Sequence, residues 1–168
     1  MTEPSQRNIV LTGFMATGKT TIGRVVAALL AREFVDTDIE IMHRTKLNIP
    51  QIFEQYGEPG FRKLETVMCK WLATRGGLVV ATGGGMLVNV HNLAAMTQTG
   101  LVVCLHAPLD VIARRLANNP DRPLAADWEM LYEQRRAAYA AIPHHVDTAG
   151  KAPHDVAEEV IALWRLSQ

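Results

Sequence analysis

The 168-residue sequence predicts an α/β fold in which a mainly parallel sheet is covered by helices on both faces. Apolar runs of strand length alternate along the chain with segments of helical periodicity, which is the pattern of repeated strand–helix–strand units. Two of these runs, residues 78–81 and 101–105, contain no charged residue, as expected for strands buried on both faces. The length and an apolar content of 48% are typical of one compact domain with a sizeable core.

The individual elements follow from local patterns along the chain. Residues 9–11 predict the first strand, and the apolar spacing of residues 22–34 predicts a helix. A second strand is predicted over residues 34–38, where an apolar pair leads into two aspartates. Apolar residues three and four apart predict a helix over residues 61–72. The remaining predicted elements are strands at 78–81 and 101–105, a helix at 111–116, a last strand beside His144 and His145, and a last helix from Pro153 to Trp164. Residues 118–127 are rich in turn formers and predict an exposed loop.

The overall charge and the cysteine content exclude several classes of protein. Seventeen Lys and Arg residues balance seventeen Asp and Glu residues, so the net charge does not attract nucleic acid or an anionic membrane. No stretch approaches the roughly 20 continuous apolar residues of a membrane span. Cys69 and Cys104 are far apart and form no metal-binding pattern, which argues against a disulfide framework or a structural zinc site. We therefore expect a cytoplasmic protein that binds neither nucleic acid nor membranes.

A phosphate-binding pattern comes directly after the first predicted strand. Residues 13–20 match G-x-x-x-x-G-K-[ST] and lead into a helix that is predicted to begin near Thr21. The glycines let backbone N–H groups converge on a phosphate, and the helix adds the positive end of its dipole. Lys19 would neutralise phosphate charge, and the Thr20 hydroxyl would bind Mg²⁺. The alternative is a plain glycine turn with a solvated lysine, but the strand and helix on either side favour nucleoside triphosphate binding.

Two aspartates, Asp36 and Asp38, end the second predicted strand. Residues two apart on a strand point the same way, so both carboxylates are expected to face the phosphate site. One could then hold Mg²⁺ while the other orients or deprotonates a substrate hydroxyl. The alternative is a solvated helix cap before Ile39, since Asp is a preferred capping residue. The neighbouring phosphate loop favours the functional interpretation.

Together with further motifs, this pattern resembles the shikimate kinase family. The matching residues are the phosphate loop, Asp36-x-Asp38, Ile52-Phe53, Gly57-Glu58, Phe61-Arg62-x-x-Glu65, Ala81-Thr82-Gly83-Gly84-Gly85, Arg122-Pro123-Leu124, and Arg135 four residues before Tyr139. They occur in the family's order and span nearly the whole chain. The set is therefore far more specific than any one of its members.

The resemblance implies an ATP-dependent kinase that phosphorylates the 3-hydroxyl of shikimate in the biosynthesis of chorismate and aromatic amino acids. It also implies the P-loop fold of nucleoside monophosphate kinases, with five parallel strands in the order 2-3-1-4-5. Residues 1–168 would form a single kinase domain, with a substrate-binding region at about 37–65 and a mobile lid at about 118–127.

The resemblance further implies roles for individual residues. Catalytic roles fall to Lys19, Asp38 and Arg122. The Mg²⁺ ligands would be Thr20 and Asp36. Shikimate would contact Asp38, Arg62, Gly83, Gly84, Gly85 and Arg135, and its carboxylate would lie between the two arginines, whose planar donors suit a carboxylate. ATP would contact Ala16, Thr17, Gly18, Lys19, Thr20, Thr21, Arg115, Arg122, Lys151 and Pro153.

Simpler interpretations of these residues remain open at this point. Arg62 and Glu65 have the spacing of an ordinary surface ion pair, and Gly83 to Gly85 are compatible with a plain turn. The chain lacks the Asn/Thr-Lys-x-Asp motif that reads the base in GTPases. Rival functions are another small-molecule kinase, acting on gluconate or a nucleoside monophosphate, and a catalytically silent binding module. Without an unpartnered apolar stripe in the pattern, we expect a monomer.

Overall fold

The computed structural model describes residues 6–118 and 127–168, which form a parallel sheet enclosed by helices. The strands are β1 (Asn8–Thr12), β2 (Glu33–Asp36), β3 (Leu78–Ala81), β4 (Gly100–His106) and β5 (His144–Asp147). They lie in the order β2-β3-β1-β4-β5, and every neighbouring pair is parallel. The predicted fold class and strand order are confirmed.

Seven helices connect and cover these strands in the described part of the chain. They are α1 (Lys19–Leu30), α2 (Thr37–Thr45), α3 (Ile49–Ala73), α4 (Val90–Thr99), α5 (Leu109–Ala117), α6 (Trp128–Ala140) and α7 (Pro153–Leu166), and a short 3-10 turn covers Met86–Val88. Among the described residues, no helix is long and apolar enough to cross a bilayer.

The prediction of one helix over residues 22–34 is wrong at its end. Ala31 takes a left-handed conformation, with φ 52°, and its N–H bonds the carbonyl oxygens of Ala27 and Ala28. These bonds close α1 at Leu30, and Phe34 therefore lies in β2. The start also differs slightly, since α1 begins at Lys19, two residues before the predicted position.

The core lies on both faces of the sheet. Along β1, Ile9 and Leu11 pack into one cluster with residues of α1 and α7, while Val10 packs into the other, with residues of α3 and α4. All three side chains are fully buried. Residues 78–81 and 101–105 are buried throughout, which confirms the expectation of strands buried on both faces. In such sheets ligands bind at the carboxyl ends of the strands.

Helix α3 contains the break that positions its functional residues. Asn48 caps the start, where its side chain accepts from the Gln51 N–H while the Gln51 side chain accepts from the Asn48 N–H. Gly57 then interrupts the helix with φ 69° and ψ 177°, a left-handed φ that favours glycine. The helical segment after this break carries Arg62 and Glu65 toward the carboxyl end of the sheet.

Candidate active site

A cleft of about 1040 Å³ crosses the carboxyl end of the sheet. It is lined by sixteen of the site residues predicted from the sequence: Ala16, Thr17, Gly18, Lys19, Thr20, Thr21, Asp36, Asp38, Arg62, Gly83, Gly84, Gly85, Arg115, Arg135, Lys151 and Pro153. Arg122 and residues 119–126 of the predicted lid lie outside the described part of the chain. The structure thus brings candidate residues from seven separate stretches of the chain to one place.

The phosphate loop joins β1 to α1 in a tightly wound conformation. Gly13 has φ 136°, and a Cβ there would run into the carbonyl of Leu105, while Gly18 has φ 94° at the start of α1. The carbonyl of Phe14 accepts hydrogen bonds from Lys19 Nζ at 2.8 Å and Thr17 Oγ1 at 2.7 Å. These bonds fold the loop onto itself, and they place the lysine at the floor of the cleft.

The side chain of Phe14 anchors this loop to α6. It is buried against Tyr132, with an edge-to-face ring contact at 5.3 Å, and against Trp128 at 6.3 Å. The loop is therefore supported from below by aromatic rings of the helix that follows the predicted lid.

Asp36 contributes both of its carboxylate oxygens to the architecture beside the loop. Oδ1 accepts from the N–H groups of Asp38 at 3.0 Å and Ile39 at 3.2 Å and so caps α2, while Oδ2 accepts from Thr20 Oγ1 at 2.7 Å. The predicted strand over residues 34–38 is wrong in its last two residues, because this cap starts the helix at Thr37. Asp38 reaches the cleft from the first turn of α2 and not by strand alternation. The capping and functional interpretations are compatible here, since each uses a different oxygen.

Thr20 and Asp36 also meet the chemical requirements of a magnesium site. Both present oxygen atoms, the donor type that Mg²⁺ prefers, and both lie at the phosphate loop. Their mutual hydrogen bond keeps the two oxygens adjacent, which suits a shared ion.

Each of the three consecutive glycines faces a different functional side chain. A Cβ at Gly83 would lie 2.6 Å from Asp38 Oδ1, and one at Gly84 would lie 3.1 Å from Arg135 Nη1. A Cβ at Gly85 would lie 2.8 Å from the Arg62 guanidinium carbon. Residues 83–85 therefore form a surface without side chains, which we call the glycine wall. One carboxylate and two guanidinium groups pack against it.

Arg62 and Glu65 do not form an ordinary surface pair, because Glu65 is only 1% exposed. Arg62 Nη1 donates to Glu65 Oε2 at 2.7 Å, and Nη2 donates to Glu58 Oε1 at 3.2 Å. The other oxygen of Glu65 is buried, has no hydrogen-bond donor among the described residues, and faces Gly83. The sequence motif contains Glu65 but indicates no role for it. Its burial and its hydrogen bond show that Glu65 orients the Arg62 guanidinium.

The electrostatics of this pair follow from its burial. Desolvation raises the pKa of Glu65, and the nearby Asp38 charge adds to this, while Arg62 and Arg135 oppose it. Burial alone would lower the pKa of Arg62, but the hydrogen bonds and charges of Glu65 and Glu58 outweigh it, so that pKa is raised. Arg62 therefore stays charged in the cleft.

On the opposite side, α6 supplies Arg135 and Tyr139. The Tyr139 hydroxyl donates to the Gly84 carbonyl at 2.8 Å and fixes the glycine segment to the helix. Burial raises the pKa of Tyr139 to about 12, against the hydrogen bond and charge of Arg135. The neighbouring Arg136 is exposed and pairs with Glu133 at 3.5 Å, so only Arg135 of the two lines the cleft.

Arg115, Lys151 and Pro153 border the outer part of the cleft. Lys151 Nζ pairs with Glu159 Oε1 at 2.7 Å. Arg115 makes three hydrogen bonds that were not foreseen, one to the Ala16 carbonyl and two to Thr148. Thr148 was missed because no local pattern marks a residue that acts through a partner 33 positions away.

Comparison with known proteins gives a consistent result over almost the whole chain. A family model described as Shikimate kinase matches residues 15–165. The shikimate kinase of Geobacter sulfurreducens is 42% identical over 175 aligned positions, which cover 100% of this chain and 97% of that protein. The structure of the Acinetobacter baumannii shikimate kinase in complex with shikimate matches with a TM-score of 0.88 and 37% identity, covering 98% of this chain and 96% of that one. The shikimate kinase of Aquifex aeolicus matches with a TM-score of 0.82 and 36% identity, covering 95% and 96%.

Proposed function

Because the chain belongs to the shikimate kinase family of ATP-dependent kinases, we propose that its cleft binds ATP at residues 13–20 and shikimate between Arg62 and Arg135. The product would be shikimate 3-phosphate, which feeds the biosynthesis of aromatic amino acids. One observation supports the assignment of residues: Asp38, Arg135 and Arg62 pack side by side against the glycine wall, which itself lies beside the phosphate loop.

The acceptor half of the cleft suits a small anionic polyol. Shikimate needs bidentate donors for its carboxylate and hydrogen-bond acceptors for its hydroxyls, and arginine is the best donor for a carboxylate. Arg135 and Arg62 lie against the consecutive residues Gly84 and Gly85, so both guanidinium groups can donate to one carboxylate. Asp38 beside them is the carboxylate that accepts from the hydroxyls.

Asp38 is assigned the role of general base. It takes the proton of the 3-hydroxyl as that oxygen bonds to the γ-phosphorus, while the bond from phosphorus to the leaving oxygen of ADP breaks. Lys19 neutralises the charge on the phosphate oxygens, and Arg122, which lies outside the described residues, is proposed to add a second positive charge from the lid. Thr20 and Asp36 would hold Mg²⁺, which supplies further charge neutralisation when bound.

An apolar wall keeps competing water from the acceptor hydroxyl. Phe53 and Phe61 contact each other with their ring centres 5.0 Å apart, and Ile39 and Ile49 line the same cleft. Ile39 is 48% exposed and Phe53 37% exposed. Covering these surfaces with the ring of the substrate gains apolar burial and excludes water, which is the competing phosphoryl acceptor.

The first test is a coupled ADP-release assay with MgATP and four acceptor conditions: shikimate, gluconate, a nucleoside monophosphate mixture, and none. We expect release well above the acceptor-free rate only with shikimate, and phosphorus NMR of the product should place the phosphate on the 3-hydroxyl. Stimulation by gluconate or a nucleotide would contradict the proposed acceptor. A lack of stimulation by any acceptor, with ATP still bound, would favour a silent binding module.

A pair of adjacent arginines supplies a matched control for the carboxylate assignment. Arg135→Ala should raise the KM for shikimate by on the order of tenfold to a hundredfold, the loss of a charged hydrogen bond. Arg136→Ala removes the same charge from the exposed side of α6 and should leave the KM unchanged. Equal effects of the two substitutions would show that bulk charge, and not a contact, attracts the substrate.

We also propose that residues 1–168 form one kinase domain that works as a monomer in the cytoplasm. Both cysteines, Cys69 and Cys104, are buried free thiols, and burial raises the pKa of each to about 11, which keeps them unreactive. Light scattering at assay concentration would test the monomer, and a mass near 37 kDa, about twice 18.5 kDa, would refute it.

A further inference from the structure

Arg115 connects the phosphate loop to Thr148, which directly follows β5 at the edge of the sheet. Its Nη1 donates to the Ala16 carbonyl at 3.0 Å and to Thr148 Oγ1 at 2.9 Å, and its Nη2 donates to the Thr148 carbonyl at 3.1 Å. From this bridge we infer that Arg115 and Thr148 are positioning residues which hold the phosphate loop in its phosphate-binding shape before nucleotide arrives. This inference rests on the proposed role of the loop in phosphate binding, and it assigns a role to the two residues that hold the loop.

The Ala16 carbonyl is an informative place for such an anchor. Ala16 has φ 61°, a left-handed conformation that is unfavourable for a residue with a Cβ and needs support from its surroundings. The peptide that follows it is planar and trans, so its carbonyl and the Thr17 N–H point in opposite directions. Holding the carbonyl against Arg115 therefore aims the Thr17 N–H to the other side of the loop, away from Arg115.

Thr148 gives this anchor a rigid base. It is buried, its N–H donates to the His106 carbonyl at 2.9 Å, and its hydroxyl donates to the same carbonyl at 3.3 Å. His106 ends β4, so the bridge runs from the sheet through Thr148 and Arg115 to Ala16. Thr148 is held by its backbone N–H and its hydroxyl, so the long Arg115 side chain is the most flexible link of the bridge.

This role differs from an adenine contact, which the family resemblance implies for Arg115. The three hydrogen bonds use the edge of the guanidinium group, whereas stacking on a base would use its face. The two roles are compatible, but they predict different behaviour toward a ligand that has phosphates and no base.

The test therefore uses inorganic tripolyphosphate, with binding measured by calorimetry beside that of ATP. Arg115→Lys keeps the positive charge but loses the planar pair of guanidinium donors. Thr148→Val keeps the shape of the side chain but loses its hydroxyl. We expect each to weaken tripolyphosphate binding by on the order of threefold to tenfold. The KM for ATP should rise in parallel while the KM for shikimate stays constant, and Thr148→Ser should restore binding. Arg114→Ala, which removes an exposed guanidinium paired with Asp110 at 3.4 Å on the same helix, is the matched control and should change neither affinity.

Three outcomes would overturn the inference. If both variants bound tripolyphosphate normally but bound ATP more weakly, Arg115 would contact only the adenine base and would not position the loop. Failure of Thr148→Ser to restore binding would assign the loss to altered packing. Failure of the wild-type protein to bind tripolyphosphate would refute the proposed phosphate site itself, and this inference with it. Thermal unfolding of each variant identifies any that fails to fold, and Arg115→Lys then carries the test alone.

Discussion

The glycine wall allows the carboxylate site to be tested by adding one carbon atom. Gly85 has φ −93° and ψ −9°, a right-handed conformation that is accessible to alanine. A Cβ at this position would lie 2.8 Å from the Arg62 guanidinium carbon and closer still to Nη1. Ordinary contact begins at about 3.4 Å, so in the variant Gly85→Ala the guanidinium carbon must retreat by at least about 0.6 Å, and Nη1 must retreat further.

This retreat is large compared with the tolerance of the contacts that Arg62 makes. Its hydrogen bond to Glu65 is 2.7 Å long, and a displaced guanidinium can no longer satisfy Glu65 and a substrate carboxylate together. A hydrogen bond to a charged group contributes about 1.5–3 kcal/mol, and each 1.4 kcal/mol is a factor of ten. We therefore expect the KM for shikimate to rise about 10-fold to 100-fold, with a smaller change in kcat because Lys19 and Asp38 are untouched.

Initial rates at varied shikimate and saturating MgATP would measure this effect, with thermal unfolding alongside. Gly77→Ala provides a contrast, since Gly77 has φ 75° and no contact closer than ordinary van der Waals distance. That variant should lose about 1 kcal/mol of stability through backbone strain and keep a normal KM. A Gly85→Ala protein with an unchanged KM would show that Arg62 does not hold the carboxylate in the position inferred from the structure.

Four further predictions concern the charged groups of the cleft. Asp38→Asn should lower kcat by about 10²–10⁴ with unchanged ATP affinity in an equilibrium titration, and a normal kcat would remove Asp38 as the base. Arg62→Lys should raise the KM for shikimate about tenfold through loss of the planar fork; equal KM values would argue against bidentate binding. Asp36→Asn should raise the Mg²⁺ concentration needed for half-maximal rate, whereas an unaltered requirement would place the ion elsewhere. Because burial raises the pKa of Glu65 above its ordinary 4.5, its ionisation opposes folding at neutral pH. Urea unfolding should therefore show wild-type stability increasing relative to Glu65→Gln as the pH falls toward 4.5, and a constant difference would contradict the assigned burial.

The phosphate loop and the order of the elements could be predicted because both are written in short local patterns. Residues 13–20 specify a loop whose glycines and lysine are all within eight positions, and the buried strands are continuous apolar runs. Strand alternation gives the wrong reason for the position of Asp38 in the cleft, because Asp38 lies in the first turn of α2. A side chain that caps the next helix changes the geometry of the residues after it, and a strand pattern does not reveal that cap.

The supports of the site could not be predicted, because they depend on long-range contacts. Glu65 becomes important through its burial, which is set by the packing of α3 against the glycine wall. Tyr139 binds a carbonyl 55 positions away, and Thr148 binds a guanidinium 33 positions away. Sequence spacing within one helix or strand carries no information about such partners.

The hydrogen bond from Lys19 to the Phe14 carbonyl also bears on which anions can occupy the loop. The Lys19 ammonium group already donates to a carbonyl, so it leaves this partner only for a ligand whose oxygens accept a stronger hydrogen bond. A triphosphate presents several charged oxygens at once and meets this condition, whereas a single inorganic phosphate gains much less. On the proposed mechanism, the same carbonyl would accept from the ammonium again when the diphosphate departs, so its positive charge would keep a polar partner. We therefore expect the loop to bind free phosphate much more weakly than a nucleoside triphosphate.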